Sequence, residues 1–308
     1  MSAEAHDNRT LLIAFAANLG IAVSKFVAAM ITGSSAMLTE GIHSVVDSLN
    51  QLLLIWGRRQ SRKPADENHP FGYGRELYFW SFVVAVLVFA LGAGVSIYEG
   101  VIHMLAPEEA VSPIIAYAVL LVAFLLEGGS TFAAFKEFRL AKGSLGWFEA
   151  VRRSKDPPAF IVLLENGAAM AGILVAAAGV ALSQYTENPL FDGAASIVIG
   201  IILGLTALLL AVESKALLIG EAADPQLIAS IRAATARKAG VVGVGLVLTV
   251  HSAPDQITVI MSADFDDGIT AGDVERIIAE VEAEVEAYWP EVKRLYIRPQ
   301  QGAGQGGS

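Results

Sequence analysis

Along the first two thirds of the chain, apolar residues come in long runs that show neither the alternation of a strand nor a narrow helical stripe. Six such runs are each about as long as the ~20 residues a helix needs to cross a bilayer. They cover Leu11 to Thr32, Ser35 to Gly57, Tyr78 to Gly100, Pro113 to Phe135, Ala159 to Ser183 and Gly193 to Val212. After Val212 the pattern shortens. Asp224-Pro225 reads as an N-cap with proline at the first helical position, opening a helix that runs to about Ala239 before Gly240. Val241 to His251 and Ile257 to Asp264 are β-rich, with a turn between them. Thr270 with Asp273 caps a second helix that ends near Tyr288, and Val292 to Ile297 reads as a last strand. The prediction is a polytopic α-helical membrane protein followed by a small α+β domain. The domains run 1–212 for six transmembrane helices, 213–299 for an α-β-β-α-β unit and 300–308 for a disordered Gly/Gln tail.

Charge sharpens this picture. Only 17% of the 308 residues are charged, while 54% are hydrophobic. Cysteine is absent, which excludes disulfides and thiolate metal ligands. A net charge of -10 argues against nucleic acid as a partner. Lys and Arg gather in the second connection (Arg58, Arg59, Arg62, Lys63, Arg75) and the fourth (Lys136, Arg139, Lys142, Arg152, Arg153, Lys155). The first, third and fifth connections carry none, so both termini are expected in the cytoplasm. The apolar run from Leu11 is too long for a signal peptide, and it is expected to remain as the first span. With no targeting segment recognised, a bacterial inner membrane is the expected location. The glutamates at 275, 280, 282, 284 and 286 read as a solvated helix face.

Ionisable residues inside the apolar runs are the candidates for chemistry. Glu40, His43 and Asp47 recur at i, i+3 and i+7, on one face of the second helix. A His and a carboxylate one turn apart can share a divalent cation. Glu165 and Asn166 in the fifth run, followed by Gly167, Ala168, Ala169, Ala171 and Gly172, can border a cavity against that face. Glu127 in the fourth run reads equally as a proton-relay carboxylate or as a partner for Lys25, which lies mid-span in the first run and is expected to play a structural role, snorkelling or pairing with an acid on a neighbouring helix. Asp66 and His69, before Pro70-Phe71-Gly72-Tyr73-Gly74, offer either an incomplete metal site or a tight turn with packed aromatics. Trp147 reads as an interfacial anchor or as packing on the fourth connection.

The Ser-x-Ala-x-x-Thr-Glu-x-x-His-x-x-x-Asp pattern ending at Asp47 and the His-Pro-Phe-Gly-Tyr-Gly-Arg-Glu loop resemble the cation diffusion facilitator family. So does Asp-Gly-Ala-Ala-Ser-Ile-Val-Ile-Gly at the start of the sixth run. The resemblance implies six spans, a ferredoxin-like cytoplasmic domain and a homodimer. It also implies export of Zn²⁺, or of Fe²⁺, Mn²⁺, Co²⁺ or Cd²⁺, from the cytoplasm in exchange for protons. Metal and H⁺ would be transported ions, with no cofactor and no enzymatic activity. The family's second-span ligands fall on His43 and Asp47. Counted back from Gly172, its fifth-span pair falls on Val162 and Asn166, which makes Glu165 the substitute ligand. A His, two carboxylates and an amide oxygen are a harder set than zinc usually takes, and suit Mn²⁺ or Fe²⁺ as well. Tyr73 stands where some members have His. The strand segments Val244-Gly245-Leu246 and Ile297-Arg298-Pro299 lack the metal-binding residues of some members, so the soluble domain is expected to bind no metal and to dimerise. Glu40, Asp66, His69 and Glu127 are accessory candidates. The competing readings are a transport-inactive relative serving as sensor or assembly partner, and a metal-dependent membrane enzyme.

Overall fold

The computed structural model describes residues 19–107 and 113–302. The expected tail beyond 302 and the first eight residues of the first apolar run lie outside the described residues. Within them the chain forms two compact units. One joins the described parts of Met1–Arg59 and Phe79–Lys215, the other Gln60–Tyr78 and Ala216–Ser308.

The first unit is built of long helices: α1 (Leu19–Thr32), α2 (Ser35–Ser61), α3 (Glu76–Leu105), α4 (Pro113–Lys142), α6 (Pro157–Thr186) and α7 (Leu190–Ile219). A short α5 (Trp147–Arg153) lies between α4 and α6. Helix α3 carries a π-helical stretch, Val88–Gly94, in its middle. Four of these helices, α3, α4, α6 and α7, are long and apolar enough to cross a membrane. Helix α2 has the length, about 40 Å at ~1.5 Å per residue. It lacks their uniform apolarity because its polar residues form one stripe.

That stripe faces inward. Helix α2 buries Thr39, Glu40, His43, Ser44, Ser48 and Asn50, while Leu49, Leu52, Ile55 and Trp56 are exposed. In water such a helix would be inside out. In lipid the arrangement is the favourable one, since hydrocarbon solvates the leucines and the bundle must satisfy the polar groups. Leu121, Val122, Leu125 and Leu126 on α4 and Ile201, Leu205 and Leu208 on α7 are exposed in the same way.

The bundle core is rich in small residues. Ala28, Ala29, Ala36, Ala93, Ala116, Ala123, Ala168, Ala176 and Ala195 share it with Met37, Leu120, Ile173, Ile199 and Leu203. Close approach is what such residues permit where no water drives helices together. Helices α3 and α7 approach closely: a Cβ at Gly100 would lie 2.7 Å from the Gly193 carbonyl, and one at Gly200 2.6 Å from Ile97. On α2, a Cβ at Gly57 would lie 2.7 Å from that of Trp80. Trp147 remains exposed but stacks on Phe135 of α4 with ring centroids 4.7 Å apart.

In the second unit, α8 (Pro225–Ala236) and α9 (Ala271–Tyr288) flank β1 (Val241–Ala253), β2 (Gln256–Phe265) and β3 (Val292–Pro299). The order is α-β-β-α-β, and the caps lie where the sequence placed them. Asp224 accepts a hydrogen bond from the Gln226 backbone N–H at 2.7 Å, and Thr270 with Asp273 closes a capping box. The sheet order is β1-β2-β3, antiparallel then parallel. Leu227, Ile231, Ile277, Val281 and Val285 of the helices pack on Val247, Val259, Met261 and Leu295. Leu248, Ile260 and Tyr296 stand in register across the opposite, exposed face. The α9 glutamates are only partly a free solvated face: Glu284 pairs with Arg237 at 2.7 Å and Lys238 at 2.9 Å. The reason is tertiary. The end of α8 brings two cations alongside α9.

The second connection groups with this unit. Arg294 on β3 donates to the Pro70 carbonyl at 2.9 Å and lies 4.8 Å over the Phe71 ring.

Candidate functional site

Helix α2 organises the polar interior of the bundle, and its start is fixed by a residue on another helix. Ser34 accepts from the Met37 backbone N–H at 3.2 Å and donates to Asp192 at 2.6 Å. The other Asp192 oxygen accepts from the Ala36 N–H at 3.2 Å. A buried carboxylate from α7 thus serves the free donors and positive dipole end of α2. Ser35 and Ser196 bond at 2.8 Å beside it, and His103 lies 3.8 Å from Asp192.

One turn further along, Glu40 is fully buried and bound to Lys25. The Lys25 ammonium donates to Glu40 at 3.0 Å, to Ser44 at 2.9 Å and to Glu127 at 2.9 Å, tying α1, α2 and α4 together. Of the two readings of Glu127, pairing with Lys25 is the one this conformation displays. Glu40, expected as an accessory to His43 and Asp47, faces the lysine as well. The acid sits on the same stripe, but a cation from α1 reaches it.

His43 and Asp47 come next. His43 Nδ1 lies 3.4 Å from Asp47 Oδ1. Both ring nitrogens of His43 are buried without a hydrogen-bond partner, and so is Asp47 Oδ1. Buried polar atoms are almost always satisfied, and an imidazole beside a carboxylate oxygen, neither with a hydrogen-bond partner, has the nitrogen and oxygen donor chemistry of a divalent-cation ligand pair. Glu165 on α6 is buried too. Among the described residues, no three His, Cys, Asp or Glu side chains stand close enough together to enclose an ion in this conformation.

The neighbour of Glu165 was not legible in the sequence. Asn50 donates its amide to Glu165 at 2.8 Å, and the Asn50 amide oxygen is buried with no partner. Asn50 extends the α2 stripe, seven residues beyond His43 and three beyond Asp47, a spacing that could have found it. Asn166, the amide named from the sequence, donates instead to Ser130 on α4 at 3.2 Å. Consecutive helical residues point about 100° apart, and here one step in sequence turns the side chain from α2 towards α4.

At the second connection, Asp66 forms a turn. One of its oxygens accepts from the His69 N–H at 2.7 Å, the other from the Tyr73 hydroxyl at 2.7 Å. The His69 and Tyr73 rings lie 4.1 Å apart, and Gly72 takes the positive φ of 83° that the turn requires. The Tyr73 hydroxyl holds the Asp66 carboxyl below its usual range, helped by the His69 N–H. The same bond pushes the Tyr73 hydroxyl upward. Of the two sequence readings of this loop, the tight turn with packed aromatics is the one seen.

The family model for the cation efflux transmembrane domain matches residues 11–219. The chain is 37% identical over 204 residues to a frog (Xenopus laevis) protein named proton-coupled zinc antiporter SLC30A9, mitochondrial, covering 65% of this chain and 36% of that one. Its human counterpart is 36% identical over 205 residues, covering 66% and 36%. Metal tolerance protein C4 of Arabidopsis thaliana is 34% identical over 223 residues, covering 72% and 49%. The chain therefore matches between about a third and a half of the length of these relatives. A match over that much of the chain, on helices whose buried stripe carries His43 and Asp47, places this protein in the cation efflux, or cation diffusion facilitator, family of membrane transporters rather than among enzymes.

Proposed function

We propose that the protein carries a divalent metal cation, zinc first and Mn²⁺ or Fe²⁺ next, out of the cytoplasm in exchange for protons. The observation that carries this reading is the pair His43 and Asp47, whose buried ring nitrogens and Oδ1 have no hydrogen-bond partner in an apolar bundle that also buries Glu165. In the proposal all six long helices cross the membrane with both termini cytoplasmic, an orientation supported by the Lys and Arg of the second and fourth connections. Two chains form the working unit. The apolar row Leu248, Ile260 and Tyr296 on the open sheet face is one surface suited to that pairing. The frog and human relatives are named as zinc antiporters coupled to protons, in line with the chemistry assigned here.

The cation would be held by His43 and Asp47 from α2 and Glu165 from α6. Asn50 is placed to offer an amide oxygen as a fourth ligand. Asn166 would enter only if α6 turned away from Ser130. Metal and proton compete because each ligand must be deprotonated to bind a cation. Loading from one side and protonation on the other then make an exchange cycle, with α2 and α6 moving relative to one another to enclose and release the ion.

The test is metal-driven proton flux in proteoliposomes. His43→Ala and Asp47→Ala should reduce flux by at least the ~10–100-fold that loss of even an outer-sphere partner costs. Undiminished flux in both variants refutes the site. Absence of flux in the wild type, with metal still bound, favours a sensor or assembly role.

A further inference from the structure

The Lys25 cluster carries a second inference, which rests on the transport-site reading for its meaning but not for its test. Lys25 is completely buried and its ammonium has three oxygen neighbours, Glu40, Ser44 and Glu127, at 2.9 to 3.0 Å. Each carboxylate spends only one oxygen on the lysine. The other two oxygens, Glu40 Oε1 and Glu127 Oε2, are buried without a hydrogen-bond partner. The set of two carboxylates and a hydroxyl matches the three N–H donors of the ammonium but carries more negative charge than its single positive charge neutralises. It is an all-oxygen donor set of the kind that hard divalent ions take. Gly172 on α6 makes room for it, since a Cβ there would run into Glu40 Oε1. Four helices, α1, α2, α4 and α6, therefore converge on this point.

We propose that Lys25 is a resident cation. Its ammonium fills the position between Glu40 and Glu127 that a second divalent ion would otherwise occupy, and so confines exchangeable metal to His43, Asp47 and Glu165. A cation covalently attached to α1 cannot be transported or lost. It also keeps Glu40, one turn from His43, from pulling the travelling ion off its path. Lys25 is in these terms a specificity-determining residue that need not touch the transported ion.

The experiment measures Mn²⁺ bound per chain in the full-length protein, purified in detergent and equilibrated with the ion. Lys25→Ala should bind roughly twofold more Mn²⁺ than wild type, since the vacated oxygens accept it. Lys25→Arg should bind as wild type does, and Lys25→Ala/Glu127→Gln should lose the gain. A merely structural lysine would produce no gain in any of them. A Lys25→Ala protein that binds no extra Mn²⁺, or a gain that survives Glu127→Gln, overturns the proposal. If Lys25→Ala is recovered only when Mn²⁺ is present throughout purification, that rescue supports it; a variant that Mn²⁺ does not rescue overturns it. Measuring the gain on an Asp47→Ala background separates the two readings. The transport-site reading fails if wild type and Asp47→Ala bind alike, and the Lys25 reading fails if its gain is absent from either background.

Discussion

Two clusters in this chain use the same chemistry in opposite surroundings. In the bundle, Lys25 meets Glu40 and Glu127 with its side chain wholly excluded from solvent. In the C-terminal unit, Arg276 meets Asp273 at 3.2 Å and Glu280 at 2.9 Å with 59% of its side chain exposed. Hydrogen bonds and neighbouring carboxylates push the Arg276 guanidinium upward, yet water stands ready to replace either acid. Around Lys25 nothing stands ready. The second cluster is decoration on a helix already held by its capping box and apolar face. The first is the means by which three helices agree on their positions.

The largest effect expected from this contrast is on folding stability. Without added metal, Lys25→Ala should cost about 3–5 kcal/mol, the typical penalty for stranding buried charges. Arg276→Ala should leave the thermal midpoint of the same protein unchanged. Equal midpoints for the two variants in detergent would erase the distinction. Asp192→Ala comes next. It removes the acceptor for the Ala36 N–H and the Ser34 hydroxyl, and should cost about 1–2 kcal/mol with the loss concentrated at the start of α2. Hydrogen exchange that quickens there, and not at the capped start of α9, is the pattern to look for.

The smallest effect is a pH response of the second connection. Folding holds the Asp66 carboxyl below its ordinary value of 3.8. The turn therefore keeps this contribution above that value and loses it as pH falls through the lower, folded one. Protease sensitivity near Asp66 should be flat from neutral pH down to the ordinary carboxylate range and rise only below it. Tyr73→Phe removes the main cause of the depression, so its rise should begin at higher pH. A rise at the same pH in both proteins would exclude the hydroxyl bond as the cause.

Much of this was readable from residue order. Within the described residues the helices cover the apolar runs because length and hydropathy are local quantities, and α2 declared itself by three ionisable residues on one stripe. The C-terminal strands and caps fell within a few residues of expectation because proline, the N-cap aspartate and the Thr270–Asp273 pair act over a single turn. Partnership was harder. Glu127 had two readings with nothing local to separate them, until Lys25, 102 positions earlier, proved to be its neighbour. Asn50 passed unnoticed, as an amide in a run of serines and leucines has no meaning until Glu165 lies opposite it. Asp192 was legible only as the first residue of the sixth-run motif, because the donors it serves belong to another helix.

The sequence by itself determined where the chain is apolar enough for lipid, where it turns, and that His43 and Asp47 share a helix face, since periodicity and propensity are properties of neighbours in the chain. Tertiary structure alone decided which buried charges neutralise one another and which are left idle. In a medium without water every polar group must be answered by another part of the protein, and only the packing of distant helices says which part answers.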